Sequence, residues 1–203
     1  MTDFSLRKRP AQARSQATFD AVVQACGALL PQLGYNGITT NHIAQAAGVA
    51  ISSLYEYFPH KDSIVALVAE ALTQRVMQAL TAAVPQVLSQ DPQQAMQQWI
   101  GIIYRVLEQE RGLLRVFYYE VPYTNQLPSV RGIMSQLMAF SESMQSQAGS
   151  TITLKYHRAS LYLIVNLVSN TIIQLILDPP PDIERDDILQ ALAYRIHCWV
   201  SGH

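Results

Sequence analysis

The sequence contains few of the residues from which metal and redox centres are built. It has only two cysteines, Cys26 and Cys198, and they match no metal-binding or redox spacing. Both fall within helical patterns, so we expect buried or partly buried reduced thiols. No group of histidine, cysteine and carboxylate residues has ligand spacing. We therefore predict neither a metal nor another cofactor.

Signals for catalysis and for membrane insertion are also missing. No glycine-rich phosphate loop is present, and Glu108, Glu110 and Glu120 belong to no recognisable nucleophile–base arrangement. The most apolar run, residues 161–177, is interrupted by Asn166, Ser169, Asn170 and Gln174. The basic N-terminal residues are not followed by the apolar run of a signal peptide. We predict a cytoplasmic protein that is not an enzyme and has no membrane partner.

Charged residues are scarce, at 14% of the chain, and the 14 basic residues nearly balance the 15 acidic ones. This balance excludes a uniformly basic nucleic-acid binder. However, residues 1–14 carry four basic residues against one acidic residue; the basic ones are Arg7, Lys8, Arg9 and Arg14. Such a basic arm can reach phosphates, and a solvated, disordered tail is the alternative interpretation.

Apolar residues make up 49% of the 203 residues. This is enough for a sizeable core and high for a soluble monomer, so we expect self-association to hide apolar surface. The apolar residues recur at steps of three and four without strand-like alternation, which predicts an all-α fold. Helices are expected at about residues 11–33, 40–47, 51–58, 61–84, 92–109, 112–119, 128–147, 153–177 and 186–200.

Residues 39–58 form the most informative segment, because they predict a helix-turn-helix. Thr39 or Thr40 is a suitable N-cap, and Gly48 is a suitable left-handed terminator between two short helices. Small apolar residues allow the helices to pack closely, and the second helix could then lie in a DNA major groove. The positions predicted to face outward are Ile51, Ser52, Ser53, Tyr55, Glu56 and Tyr57. Taken alone, such a corner also occurs in helical enzymes.

Over residues 12–75 the sequence resembles the DNA-binding domain of TetR-family transcriptional regulators. The matching motifs are a basic first helix, Gly37-Ile38-Thr39-Thr40, Ile43-Ala44, Ala47-Gly48-Val49, Leu54-Tyr55-x-Tyr57-Phe58 and Lys61. The resemblance implies a basic arm at 1–14, a helix-turn-helix domain at 12–75 and an effector-binding and dimerisation domain at 76–203. It also implies a homodimeric repressor that binds a near-palindromic DNA operator and is released by a small, largely apolar ligand.

The resemblance suggests roles for individual residues. Thr40, supported by Asn41 or His42, and Lys61 match positions that bind phosphate. Tyr55 and Tyr57 match an aromatic pair that braces the DNA backbone and thymine methyls. The candidate base readers lie on the second helix. The predicted DNA-binding residues are Thr40, Asn41, Ile51, Ser52, Ser53, Tyr55, Tyr57 and Lys61.

Three residues depart from the family pattern. Ala50 replaces the usual Ser or Thr cap of the recognition helix, and His60 replaces the usual Asn or Ser cap of the fourth helix; each change costs on the order of 1 kcal/mol. Glu56 either accepts a hydrogen bond from a cytosine amino group or points back towards a basic residue.

The helix predicted at residues 153–177 carries a polar stripe, namely Tyr162, Asn166, Asn170 and Gln174. Buried amides need partners, so the stripe lies either in a ligand pocket or across a two-fold interface, where amides can fix register. The opposite side is predicted to join the last helix in a four-helix dimer bundle. The predicted dimer residues are Leu161, Val165, Val168, Ile172, Ile188, Leu192, Ile196 and Trp199.

Aromatic residues between positions 99 and 140 suit an apolar pocket with a few polar anchors, and ordinary core packing is the alternative. The predicted ligand-binding residues are Trp99, Tyr104, Phe117, Tyr118, Tyr123, Met138, Asn166 and Asn170. A helical enzyme and a protein-interaction module are the competing hypotheses for the whole chain.

Overall fold

The computed structural model describes residues 4–148 and 157–201, and every regular element within these ranges is helical. The all-α prediction is therefore confirmed. The described elements are α1 Ala13–Gly37, α2 Thr40–Ala46, α3 Ile51–Tyr55, α4 Lys61–Val87, α5 Pro92–Gln109, α6 Arg111–Tyr119, a 3-10 helix Thr124–Gln126, α7 Pro128–Ala148, α8 His157–Leu177 and α9 Arg185–Ser201. The predicted start of α8, at residue 153, lies outside the described residues.

The chain divides into two compact units. Unit 1 comprises Met1–Thr73 and Gly112–Arg131, and unit 2 comprises Gln74–Arg111 and Gly132–His203. The first division falls inside α4, close to the boundary expected at residue 75. The structure also assigns residues 112–131 to unit 1. Periodicity could not indicate this, because it reports which face of a helix is apolar and not which partner covers that face.

Local chemistry explains where several helices begin and end. The Thr39 hydroxyl accepts a hydrogen bond from the His42 N–H at 3.2 Å and caps α2. Gly48, with φ 67°, ends α2 in the left-handed conformation that was predicted. Asp91 caps α5 by accepting from two backbone N–H groups of its first turn. Three ends differ from expectation: α1 continues past a kink at Gly34 to Gly37, α3 stops at Tyr55, and α4 continues through Pro85 to Val87.

Aromatic and aliphatic side chains from α1 to α4 build the core of unit 1. Phe58 is fully buried and stacks on Phe19, with ring centroids 4.7 Å apart. Cys26 is also fully buried, and burial raises the pKa of its thiol to about 12. Because Cys198 is also a free thiol and is partly buried, the prediction of reduced, structural cysteines is confirmed.

In unit 2, α5 packs against both α8 and α9. The core there contains fully buried isoleucines such as Ile172 and Ile196. Tyr104 on α5 is also buried, and its hydroxyl donates to the Glu108 carboxylate one helical turn later, at 2.5 Å. This local bond satisfies the polar end of an otherwise apolar side chain.

Candidate functional site

The helix-turn-helix predicted in residues 39–58 is present in unit 1. Its packing residues Ile43, Ala44 and Leu54 are buried, and the Val49 N–H donates to the Ala44 carbonyl at 3.0 Å across the turn. With only five residues, α3 is too short to be stable in isolation. Its orientation therefore depends on the core that holds Leu54 and the adjoining Phe58.

A continuous polar surface lies on α2 and α3. The Thr40 hydroxyl at the start of α2 and the Tyr55 hydroxyl at the end of α3 are 2.9 Å apart and share a hydrogen bond. Asn41, Ile51, Ser52 and Tyr55 are exposed, and Thr40 and Ser53 are half-buried. We call Thr40, Asn41, Ile51, Ser52, Ser53 and Tyr55 the recognition surface. It retains six of the eight residues predicted to bind DNA.

The prediction that Tyr57 faces outward is wrong. Its side chain is only 6% exposed and meets the Phe19 ring edge-on at 5.9 Å. Tyr57 follows the end of α3, where the chain turns inwards towards Phe58, so the helical spacing used to place it outside no longer applies. Its ring stabilises the core and is not available to brace DNA.

Lys61 also differs from its predicted role as a free phosphate anchor. Its ammonium group donates to the backbone carbonyls of Tyr35 at 2.7 Å and Ile38 at 3.4 Å, and lies 4.2 Å from the centroid of the Tyr35 ring. These carbonyls belong to the C-terminal end of α1, where a positive charge is stabilising. In this conformation Lys61 joins α1 to α4 instead of presenting its charge at the surface.

Glu56 binds a basic residue of the N-terminal arm. The Lys8 ammonium lies 2.7 Å from the Glu56 carboxylate, which raises the pKa of Lys8. The neighbouring Arg7 N–H donates to the Tyr57 carbonyl at 2.9 Å, and Phe4 packs on Tyr123 with centroids 5.1 Å apart. Residues 4–9, which we call the docked arm, are therefore held on unit 1, and the solvated-tail interpretation is wrong for them.

A polar cluster joins α1, α4 and the segment 112–131 inside unit 1. One oxygen of Asp62 accepts from the hydroxyls of Tyr35 at 2.9 Å and Tyr123 at 2.8 Å. The Glu120 carboxylate accepts from the Tyr35 N–H at 2.9 Å. Burial is the main cause that raises the pKa values of both tyrosines, so both remain donors at neutral pH. Sequence reasoning missed this cluster, because its members are far apart along the chain.

Comparisons with known proteins agree with this geometry. Residues 22–68 match the family described as bacterial regulatory proteins, tetR family. Over 75 residues the chain is 33% identical to the nucleoid occlusion factor SlmA of Haemophilus ducreyi; the match covers 37% of this chain and spans only 34% of SlmA. Residues 22–68 are thus a TetR-type helix-turn-helix DNA-binding domain.

Solved structures of TetR-family proteins share the fold of the chain. A TetR-family regulator from Mesorhizobium loti has a TM-score of 0.69 at 14% identity, covering 94% of this chain and 98% of its own. The fatty acid degradation regulator FadR from Bacillus halodurans has a TM-score of 0.66 at 16% identity, covering 96% and 97%. At these identities the structural similarity establishes the fold and does not identify a ligand.

Two glycines in the TetR-type domain allow a matched stability test. Gly34 and Gly48 both have positive φ, but a Cβ on Gly34 would lie 2.5 Å from the Glu120 carboxylate, whereas a Cβ on Gly48 would meet nothing within 4 Å. We expect Gly48→Ala to cost about 1–2 kcal/mol from backbone strain alone. Gly34→Ala should cost more, because it also displaces Glu120 from the Tyr35 N–H, a bond of roughly 1.5–3 kcal/mol.

Chemical denaturation of the two variants would measure this difference. In a Glu120→Ala background the cost of Gly34→Ala should fall by the contribution of the Glu120 bond, leaving the backbone strain at Gly34, whose φ of 68° and ψ of 169° are open essentially only to glycine. Equal losses for the two glycine variants in the parent protein would contradict the proposed clamp between residue 120 and the end of α1.

Unit 2 contains a groove of about 600 Å³ between α4 and α7. Its walls are mainly apolar with a few polar groups; they are formed by Met77, Thr81, Val84, Pro85, Gln136, Ala139, Phe140 and Ser143. Trp99 packs edge-on against Phe140, with centroids 5.3 Å apart. It therefore lies behind a wall residue rather than in the wall itself.

None of the eight predicted ligand-binding residues lines this groove. Phe117 and Tyr123 are buried in unit 1, and Tyr118 is exposed there. Tyr104 is buried in unit 2 against Glu108, Trp99 packs on Phe140, and Met138 is half-buried on α7. The aromatic residues are neighbours in sequence but are divided between two units, so their predicted convergence on one pocket is not observed.

The outer face of α8 is apolar and exposed. Leu163 and Leu167 are 50% and 43% exposed, and Tyr162 beside them is 57% exposed. Asn166 and Asn170 lie on or next to this face and donate to the backbone carbonyls one turn earlier, at 2.8 and 2.9 Å. The amides of Asn166 and Asn170 thus find partners in their own helix. We call Tyr162, Leu163, Asn166, Leu167 and Asn170 the α8 face.

The residues predicted to form the dimer bundle mostly point the other way. Leu161, Val168, Ile172, Leu192 and Ile196 are buried within the single chain, Val165 and Ile188 are half-buried, and Trp199 is exposed at 40%. The sequence analysis placed these apolar residues in a dimer bundle and left the polar stripe in either a ligand pocket or a two-fold interface. In the single chain, five of the eight predicted dimer residues instead cover the core of their own chain.

Proposed function

We propose that this protein is a homodimeric TetR-family repressor that binds a near-palindromic operator through two recognition surfaces. It releases the operator when a small, largely apolar molecule enters unit 2. The observation that carries this proposal is the recognition surface, where hydroxyl and amide side chains project from α2 and α3, two short helices that the core holds in place. Such side chains bond to phosphates and base edges in a major groove.

The charge distribution supports DNA as the partner of unit 1. Residues 4–61 contain five basic residues and two acidic ones, although the whole chain carries a net charge of −1. Of the two acidic residues, Glu56 is paired with Lys8 and Asp20 accepts from the Gln16 amide. The region around the recognition surface therefore attracts a polyanion, while the remainder of the protein does not.

The α8 face supports a homodimer. A second copy of the chain would cover its leucines, and a two-fold contact would bring Asn166 or Asn170 opposite its own copy, where amides can pair. Residues Arg158–Leu177 are apolar enough to cross a membrane by length and composition. However, a spanning helix would expose the same amides to lipid. We therefore propose a cytoplasmic dimer in which two recognition surfaces meet two operator half-sites.

The groove in unit 2 supports a small, largely apolar effector. Its volume of about 600 Å³ lies in the range of ordinary ligand sites, roughly 300–1,000 Å³. Thr81 and Gln136 offer the few polar groups that would orient such a molecule. Release of DNA requires that this molecule bind the conformation incompatible with the operator more tightly than the compatible one.

Binding to DNA from the region upstream of this protein's own gene tests the proposal directly. We expect a mobility shift that depends on salt, prefers one sequence over unrelated duplexes and involves two chains per fragment. Addition of an apolar probe such as dodecanoate should reverse the shift. Sequence-independent binding, or binding by a single chain, would contradict the proposed repressor.

The recognition surface predicts two kinds of mutational effect. Tyr55→Phe removes the hydroxyl that bonds to Thr40. It should therefore reduce the binding free energy for every sequence by a similar amount, about 1 kcal/mol for one net hydrogen bond. Ser52→Ala removes a candidate base contact and should instead change the ranking of operator variants. Competition binding against a panel of single-base variants separates the two; identical profiles would refute the division into anchors and readers.

The groove predicts a variant that binds DNA but ignores the effector. Ala139→Phe places a large side chain in the groove, so DNA binding should be preserved while release by the apolar probe is lost. Ala82→Phe is the matched control, since Ala82 is exposed on α4 and does not line the groove. Quenching of Trp99 fluorescence in a Trp199→Phe background would report occupancy. Normal release by the Ala139→Phe protein would place the effector elsewhere.

A further inference from the structure

The docked arm is attached to unit 1 by several contacts of different kinds. Phe4 packs on the Tyr123 ring, and Leu6 packs against the core of unit 1. Arg7 donates its backbone N–H to Tyr57, and Lys8 pairs with Glu56. An exposed ion pair alone stabilises little, but the backbone hydrogen bond and the apolar contacts act independently of it. Together they place the arm beside the C-terminal end of α3.

The charges of the docked arm are not all used in this attachment. Lys8 forms a salt bridge with Glu56, and its ammonium also lies 5.0 Å from the centroid of the Tyr57 ring. The side chains of Arg7 and Arg9, on either side of Lys8, are exposed and contact no carboxylate in the part of the chain that the structure describes. Guanidinium groups match phosphate oxygens in a bidentate geometry.

We propose that the docked arm is a second DNA-contacting element and that Glu56 is its positioning residue. Glu56 holds Lys8, and Arg7 and Arg9 thereby reach phosphates that flank the bases read by α3. The proposal rests on the proposed function, since it needs an operator. It also assigns Glu56 a role different from hydrogen bonding to a cytosine: its carboxylate orders the arm and does not read sequence.

Removing Glu56 tests the proposal through the sign of its effect. A carboxylate that merely lies near DNA repels it, so Glu56→Ala would then tighten binding. If Glu56 positions the arm, the same variant weakens binding by roughly two- to fivefold, the factor expected for loss of an exposed ion pair. The probe is a duplex that the wild-type protein selects from a random-sequence library. Tighter binding by Glu56→Ala would overturn the proposal.

Phosphate ethylation interference on the same duplex locates the arm. Wild-type protein should show sensitive phosphates outside the segment that α3 reads, and Glu56→Ala should weaken interference at this outer set while keeping the inner one. The charge-swapped pair Lys8→Glu with Glu56→Lys keeps the net charge and should restore the outer set. A general folding defect would reduce both sets together, which distinguishes it from loss of the arm contacts. An outer set that is unchanged in Glu56→Ala would also overturn the proposal.

The arginines provide an independent measurement. Arg7→Gln with Arg9→Gln should reduce the dependence of log K on log salt by about 0.9 for each phosphate contact removed. Arg105→Gln, an exposed arginine on α5 in unit 2, is the matched control and should leave the slope unchanged. An unchanged slope for the double variant would overturn the arm's role while leaving the recognition surface intact. Failure of the wild-type protein to select any duplex would instead overturn the proposed function.

Discussion

Leu167→Glu is expected to convert the proposed homodimer into monomers and to abolish tight operator binding. Leu167 lies on the α8 face, is 43% exposed in the single chain and has Leu163 one turn away. In a two-fold contact the new carboxylate would be buried without a cation, and an uncompensated buried charge costs about 3–5 kcal/mol. This corresponds to a loss of more than a hundredfold in the dimer association constant.

Light scattering after size-exclusion chromatography would measure the effect as a fall to the mass of one chain, 22.6 kDa. Leu88→Glu is the matched control, because Leu88 is a similarly exposed leucine outside the α8 face and should leave the dimer intact. A Leu167→Glu protein that remains dimeric would show that another surface forms the contact. Operator binding should fall in parallel with the dimer, since one recognition surface can reach only one half-site.

Phe58→Ala is expected to produce the largest loss of folding stability. Phe58 is fully buried and stacks on Phe19, and truncation of a buried phenylalanine typically costs 3–5 kcal/mol, roughly the transfer and cavity terms together. A domain of this size is commonly stable by only about 5–15 kcal/mol. The variant should therefore unfold at much lower denaturant concentration, and α3 should lose its orientation because Phe58 adjoins it.

Tyr118→Ala provides the control for this prediction. Tyr118 is an aromatic residue of unit 1 that is 47% exposed, so its truncation should cost less than about 1 kcal/mol. Denaturation followed by circular dichroism gives the free energies of unfolding, and mobility shift at low temperature gives the residual DNA affinity. Comparable losses in the two variants would mean that the aromatic core around Phe19 does not anchor the helix-turn-helix.

The sequence was sufficient to predict the helices, the turn at Gly48 and the TetR-type domain, because these depend on local spacing and on a contiguous motif. The Asp91 cap and the left-handed Gly48 could be anticipated from chemistry confined to a few residues. Most residues of the recognition surface could also be anticipated, since helical periodicity separates Leu54, which packs inward, from Ser52, which is exposed.

The errors have a common physical origin in contacts between distant parts of the chain. Tyr57 and Lys61 were assigned to DNA because they follow a family motif, yet Phe19 and the carbonyls at the end of α1 engage them. The Asp62 cluster depends on Tyr123, 61 residues away. On α8, either the apolar stripe or the stripe with the asparagines could face the core. Periodicity alone could not establish which of them the rest of the chain covers.

The brevity of α3 has a consequence for the evolution of the operator. Five residues expose only a few side chains to bases, and the central ones, Ser52 and Ser53, carry hydroxyl groups that can donate to or accept from several bases. Each half-site should therefore tolerate substitutions at many positions. One operator in a genome would then be distinguished by two copies of a short half-site at a fixed spacing. We therefore expect the half-site sequence of such operators to vary more readily during evolution than the spacing between the half-sites.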